Sequence, residues 1–125
     1  MDRVSLGRGA DIADRLLELA AAVLRMVRKL PRDGTTRHVV QQLVRAVTAG
    51  GANYEEARGA ESRADFIHKV GIAMKEVRET IFWLRLLEKM DLRIPLAITT
   101  LVRECTELAA IFGASIRTAR ARASP

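Results

Sequence analysis

The sequence predicts an all-α protein, an antiparallel up-down-up-down four-helix bundle, and three observations carry that expectation. Apolar residues recur at the 3.6-residue helical period through most of the chain. The apolar mass is aliphatic: 49% of residues are hydrophobic but only 4% are aromatic, as packed helices require. The breaks between periodic stretches are short and hold Pro, Gly or Asp, with no alternating strand pattern. Short links cannot cross a helix length of about 30 to 40 Å, so consecutive helices are expected to run in opposite directions. The 125 residues form one domain, 1–125, large enough to bury about two thirds of its unfolded surface.

The first helix is expected at about 11–30, where Ile12, Leu16, Leu19, Val23, Met26, Val27 and Leu30 share a face before Pro31 stops it. The second is expected at about 35–58. Thr35 or Thr36 can cap its first amides, and Val39, Val40, Leu43, Val44 and Val47 form its apolar stripe. Gly50 and Gly51 inside it would each cost about 1 kcal/mol against Ala, which points to close approach by a neighbouring helix. Ser62 and Asp65 resemble a shortened capping box for a third helix at about 63–90. That helix carries two apolar seams, Phe66, Val70, Ala73, Val77, Thr80, Leu84 and Leu87 on one, Ile72, Trp83, Leu86 and Met90 on the other. Two seams on one helix imply burial on two sides. Pro95 suits the first turn of a fourth helix at about 94–120, built on Ile98, Leu101, Cys105, Leu108 and Phe112.

Composition narrows the function classes. No apolar run is long enough to span a bilayer and the opening residues lack a signal-peptide core, so a soluble cytoplasmic protein without membrane association is expected. One cysteine and two histidines leave no disulfide framework and little for a metal. The net charge of +6 is concentrated. Arg25, Arg28, Lys29, Arg32, Arg37 and Arg45 face Asp33 alone around the first turn, and Arg117, Arg120 and Arg122 crowd the tail. These clusters read either as polyanion-binding patches or as cations answering helix C-terminal dipoles. In an up-down bundle they lie at opposite ends.

Asn53 falls in register with Leu43, Ala46 and Gly50 and is expected to point inward or toward a neighbouring subunit, with Glu56, Glu76, Glu79, Glu104 and Glu107 as candidate partners. Such a set is either a polar network that fixes helix register or a carboxylate-rich site. Di-metal bundles need Glu-x-x-His on two helices, whereas the acidic-x-x-His pair here is Asp65 with His68 at a helix start. No metal or other cofactor is expected. Cys105 lies on an apolar seam and reads as a small core residue. Tyr54, Ile72, Trp83 and Leu86 read as packing or oligomer-interface residues. Phosphate-binding glycine loops, nucleophile elbows and zinc-ligand spacings are absent, so an enzyme is not expected.

Gly51-Ala52-Asn53, Glu56-Ala57, Ser62, Asp65-Phe66, Ile72-Ala73, Lys75-Glu76, Glu79, Trp83-Leu84, Ile111-Phe112, Ser115-Ile116 and Thr118-Ala119-Arg120 together resemble the bacterial four-helix-bundle proteins some of whose members are encoded within intervening sequences of 23S ribosomal RNA genes. The resemblance spans about residues 12–122. It implies a homo-oligomer, a pentameric ring being the favoured form, and no established enzymatic activity. More distantly the chain is similar to the accessory variability proteins of diversity-generating retroelements, basic pentamers that bind a reverse transcriptase and nucleic acid. The leading expectation is therefore a non-enzymatic oligomeric accessory or scaffold protein binding RNA or DNA phosphates through Arg25, Arg28, Lys29, Arg32, Arg37, Arg117, Arg120 and Arg122. The alternatives are a protein-interaction module without a nucleic-acid role and, more remotely, a carboxylate-lined metal site or enzyme.

Overall fold

A computed structural model of the chain describes residues 9–123. It contains four α-helices, α1 (Ala10–Val27), α2 (Gly34–Arg58), α3 (Arg63–Lys89) and α4 (Ile98–Ala123), and no strand among the described residues. The parts of the expected 1–125 domain before residue 9 and after residue 123 lie outside the described residues.

The helix ends show which local chemistry prevails. α1 stops at Val27, three residues short of expectation, because the next amides close tight turns: Lys29 donates to the Met26 carbonyl and Leu30 to that of Val27, both at 3.1 Å. Leu30 nevertheless remains buried. The cap of α2 is Asp33, not Thr35 or Thr36. Its carboxylate accepts the Thr36 amide at 2.9 Å and the Thr36 hydroxyl at 3.2 Å, which satisfies an otherwise fully buried Thr. At α3 the Ser62 hydroxyl accepts the Asp65 amide at 3.0 Å, as its position predicts. α4 begins at Ile98, four residues later than expected, with Leu101 donating to the Ala97 carbonyl at 3.1 Å. Pro95 therefore sits in the link and not in the first turn. That link also holds Asp91 at φ 51° and Arg93 at φ 58°.

α3 packs against α2 and α4, while α1 packs mainly on α2 and more lightly on α4. Where α2 meets α3, His38 lies by Trp83, Arg45 by Glu76, Gly50 by Ala73 and Val77, and Glu56 by Lys69. Leu16, Val23, Leu43, Val70, Val77, Leu84, Leu87, Leu108 and Phe112 form the solvent-free centre. Each such side chain contributes about 1.5–3 kcal/mol by leaving water. The α2 glycines differ. A Cβ on Gly50 would sit 3.2 Å from Val77 Cγ2, so the α2–α3 approach is tight there and Val77 would have to give by a few tenths of an ångström, whereas a Cβ on Gly51 would make an ordinary 3.7 Å contact with Leu16.

Candidate nucleic-acid interface

Residues three apart on a helix share a face, so Glu76 with Glu79 on α3 and Glu104 with Glu107 on α4 each present two carboxylates to a neighbouring helix. In both cases one arginine answers both. Arg45 on α2 reaches Glu76 at 3.1 Å and also contacts Glu79. The Trp83 indole, one turn further along α3, donates to Glu79 Oε2 at 2.9 Å. The indole hydrogen bond first, and Arg45 with it, hold the Glu79 carboxyl below its ordinary value. Arg15 on α1 contacts Glu104 at 2.6 and 3.0 Å and Glu107 at 3.1 Å. Its hydrogen bonds depress the Glu104 carboxyl and raise the guanidinium's own pKa.

The expected polar network is thereby divided. Asn53 is half-buried and donates to the Ala49 carbonyl of its own helix at 2.9 Å, and Glu56 pairs with Lys69 at 2.8 Å. The inward position belongs to Tyr54, the residue expected at an oligomer interface. It is 7% exposed and stacks on Phe112 with ring centres 5.2 Å apart. The core stripe of α2 runs through Leu43, Val47, Gly50, Tyr54 and Ala57, which sets Asn53 one residue to its side. Arg15 and Arg45 were missed because an E-x-x-E spacing announces a need for a cation without saying which helix supplies it. Among the described residues, no three His, Cys, Asp or Glu side chains gather as a metal site. Cys105 is fully buried, its thiol pushed up to about 12 by desolvation.

The basic candidates separate into two places. Arg25, Arg28, Lys29, Arg32 and Arg37 are exposed around the α1–α2 turn, and Arg37 donates to the Arg32 carbonyl at 3.4 Å. Arg45, counted with them by sequence position, is held by the α3 glutamates. At the other cluster, the Arg122 carbonyl accepts from Arg63 at 2.7 Å. Arg117 and Arg120 line a groove between α3 and α4, opposite Lys75, Arg78 and His68. Among the described residues no Asp or Glu lines that groove. Among the described residues none of its four Lys and Arg side chains forms an ion pair. Its floor is small: a Cβ on Gly71 would find nothing within 4 Å, and one on Gly113 would meet Arg117 Nη1 at 3.4 Å.

Sequence reasoning passed over Lys75 and Arg78 because they stand among glutamates. The available signal is a seven-residue offset on both helices, His68 to Lys75 and Gly71 to Arg78, matched by Ala110 to Arg117 and Gly113 to Arg120. The proposed interface residues diverge as well. Ile72 lines the basic groove. Trp83 packs edge-on against His38 and against Phe82, with ring centres 6.0 and 4.9 Å apart. Leu86 rests partly buried on the core. Phe82, not among those candidates, is 58% exposed.

With this geometry in place, comparison with known proteins identifies the lineage. The family model described as "23S rRNA-intervening sequence protein" matches residues 9–114. The chain belongs to that family. A similar solved structure is the crystal structure, at 1.70 Å, of a protein with unknown function from the S23 ribosomal protein family of Bacteroides thetaiotaomicron VPI-5482. The two are 33% identical with a TM-score of 0.75, over 84% of this chain and 97% of that one. No curated protein matches the chain. The match to the intervening-sequence family takes in both arginine-clamped carboxylate pairs but ends before Arg117 and Arg120. Among the described residues no helix of this family member is long and apolar enough to cross a membrane.

Proposed function

We propose that the chain is a non-enzymatic, cytoplasmic, homo-oligomeric accessory or scaffold protein that binds RNA or DNA phosphates through exposed cations. The observation carrying this reading is the acid-free α3–α4 groove with Lys75, Arg78, Arg117 and Arg120 outside every ion pair of the described residues. The glutamates nearby on α3 and α4 are satisfied by Arg45 and Arg15, so the groove keeps its charge. Up-down-up-down order agrees with the antiparallel course of its middle pair, where the contacts climb α2 from His38 to Glu56 while descending α3 from Trp83 to Lys69.

Fluorescence anisotropy of a labelled mixed-sequence RNA with nuclease-treated protein tests the binding. Salt-sensitive, sequence-tolerant association is expected, and no association at low salt defeats the proposal. Light scattering tests the assembly. A mass near five 13.8 kDa chains is expected from the family resemblance, and a monomer at micromolar concentration defeats it. The exposed Phe82 and Leu17, at 58% and 68%, favour a second reading, a protein-interaction module without a nucleic-acid role. A pull-down dominated by one protein and unchanged by nuclease would select it.

A further inference from the structure

We infer that the groove between α3 and α4, and not the α1–α2 turn, is the surface that holds a nucleic acid's phosphodiester backbone. The inference rests on the phosphate-binding reading above and assigns it a place.

The first argument is charge. The chain's net charge is +6, and four cations line this one groove without an acid among them. Lys75 and Arg78 stand more than three turns from either end of α3, where the helix dipole offers no reason for a cation. Neither has a carboxylate to answer on its own helix. Glu79, one turn beyond Lys75, is occupied by Arg45 and Trp83, and the residues four before and four after Arg78 are Met74 and Phe82. Cations in this state keep their full charge for an anion from outside the protomer.

The second argument is shape. Gly71 and Gly113, with Ala109 and Ala110, keep the floor low, so a sugar-phosphate chain can lie between two rows of basic side chains. The lining on α3 runs from Ala64 to Ile81, about 25 Å at helical rise. That length meets several phosphates of a strand rising about 3.4 Å per nucleotide. Among the described residues no Phe, Tyr or Trp lines the groove. Bases therefore find only the His68 imidazole and the arginine planes to stack on, and recognition falls mainly on the backbone, with little regard to sequence. The turn cluster is less suited, since the depressed carboxyl of Asp33, held by the Thr36 amide, sits within it.

The test compares three variants of the full chain by anisotropy against labelled 20-mer RNA and DNA, single-stranded and duplex. The double variant Lys75→Glu with Arg78→Glu reverses charge in the groove. Gly71→Phe fills the floor without changing charge, at a site with open space. Arg28→Glu with Arg32→Glu reverses charge at the turn. Affinity should fall at least about tenfold in the first and severalfold in the second, and stay within about threefold of wild type in the third. Circular dichroism and melting confirm folding, and Gly71→Phe keeps the test decisive should the double reversal unfold. Wild-type binding that survives both groove variants but collapses in the turn variant overturns the groove and leaves the phosphate-binding reading intact. A wild-type chain that binds no probe overturns both. Polyglutamate of matched length competing as well as RNA overturns the assignment to nucleic acid.

Discussion

Arg15 on α1 holds Glu104 on α4 in a fork, Nη2 to Oε1 at 2.6 Å and Nε to Oε2 at 3.0 Å. α1 meets α4 more lightly than it meets α2, so this bidentate pair carries an unusual share of the tie between the two. Partly exposed ion pairs contribute about 0–1 kcal/mol, with good forked geometry at the upper end. Glu104→Gln should therefore cost about 1 kcal/mol in urea unfolding, and amide exchange should quicken in α1 more than in α3. Uniform protection across the helices would show that α1 does not depend on the fork.

Stability should fall in acid, beginning near pH 4.5. Hydrogen bonding from Arg15 lowers the Glu104 carboxyl, and hydrogen bonding from Trp83, then Arg45, lowers that of Glu79, both from an ordinary value of 4.5. A group depressed in the folded state stabilises fully above its unfolded pKa, and the contribution is lost as pH falls through the folded value. Chemical denaturation across pH 3 to 7 should show a plateau above about pH 5 and a decline below 4.5, shallower in Glu104→Gln. A decline of equal depth in that variant would remove Glu104 from the account.

Gly71 and Gly50 should respond oppositely to alanine. Nothing lies within 4 Å of a Cβ on Gly71, so Gly71→Ala should stabilise α3 by about 0.5–1 kcal/mol through helix propensity. A Cβ on Gly50 would stand 3.2 Å from the buried, β-branched Val77. Overpacking there should outweigh the propensity gain and leave Gly50→Ala about 1 kcal/mol less stable. Thermal melts of the two single variants decide it, and a stabilised Gly50→Ala would mean that α2 and α3 have room to separate.

Cys105 should resist alkylation while the chain is folded. Its thiol is fully buried, and burial pushes its pKa up to about 12, leaving almost no thiolate at neutral pH. Mass spectrometry after iodoacetamide should find the native protein unmodified and the urea-unfolded protein fully labelled. Rapid native labelling would indicate opening of the α4 core face.

The fold was legible because helix type depends on periodicity and punctuation, which the chain displays openly. Leu16, Val23, Leu43, Val77 and Phe112 were all placeable on buried faces by spacing alone. Differences arose where one residue of register or one helix end decided the outcome: Tyr54 and not Asn53 faces the core of the chain, Asp33 and not Thr36 caps α2, and α4 starts at Ile98 and not beside Pro95. The candidate site was less legible for a different reason. Lys75 and Arg117 lie 42 positions apart in sequence and line one groove only once α3 and α4 are packed. Arg45, which looked available, is consumed by Glu76 and Glu79.

The salt dependence of nucleic-acid affinity probes the groove most directly. If Lys75, Arg78, Arg117 and Arg120 each neutralise a phosphate, log K plotted against log salt should fall with a slope of about −3 to −4 on duplex DNA. Arg117→Gln with Arg120→Gln should flatten the slope by about 2. A wild-type affinity indifferent to salt, or a slope unchanged in the double variant, would show that phosphate binding in this groove is not what the protein does.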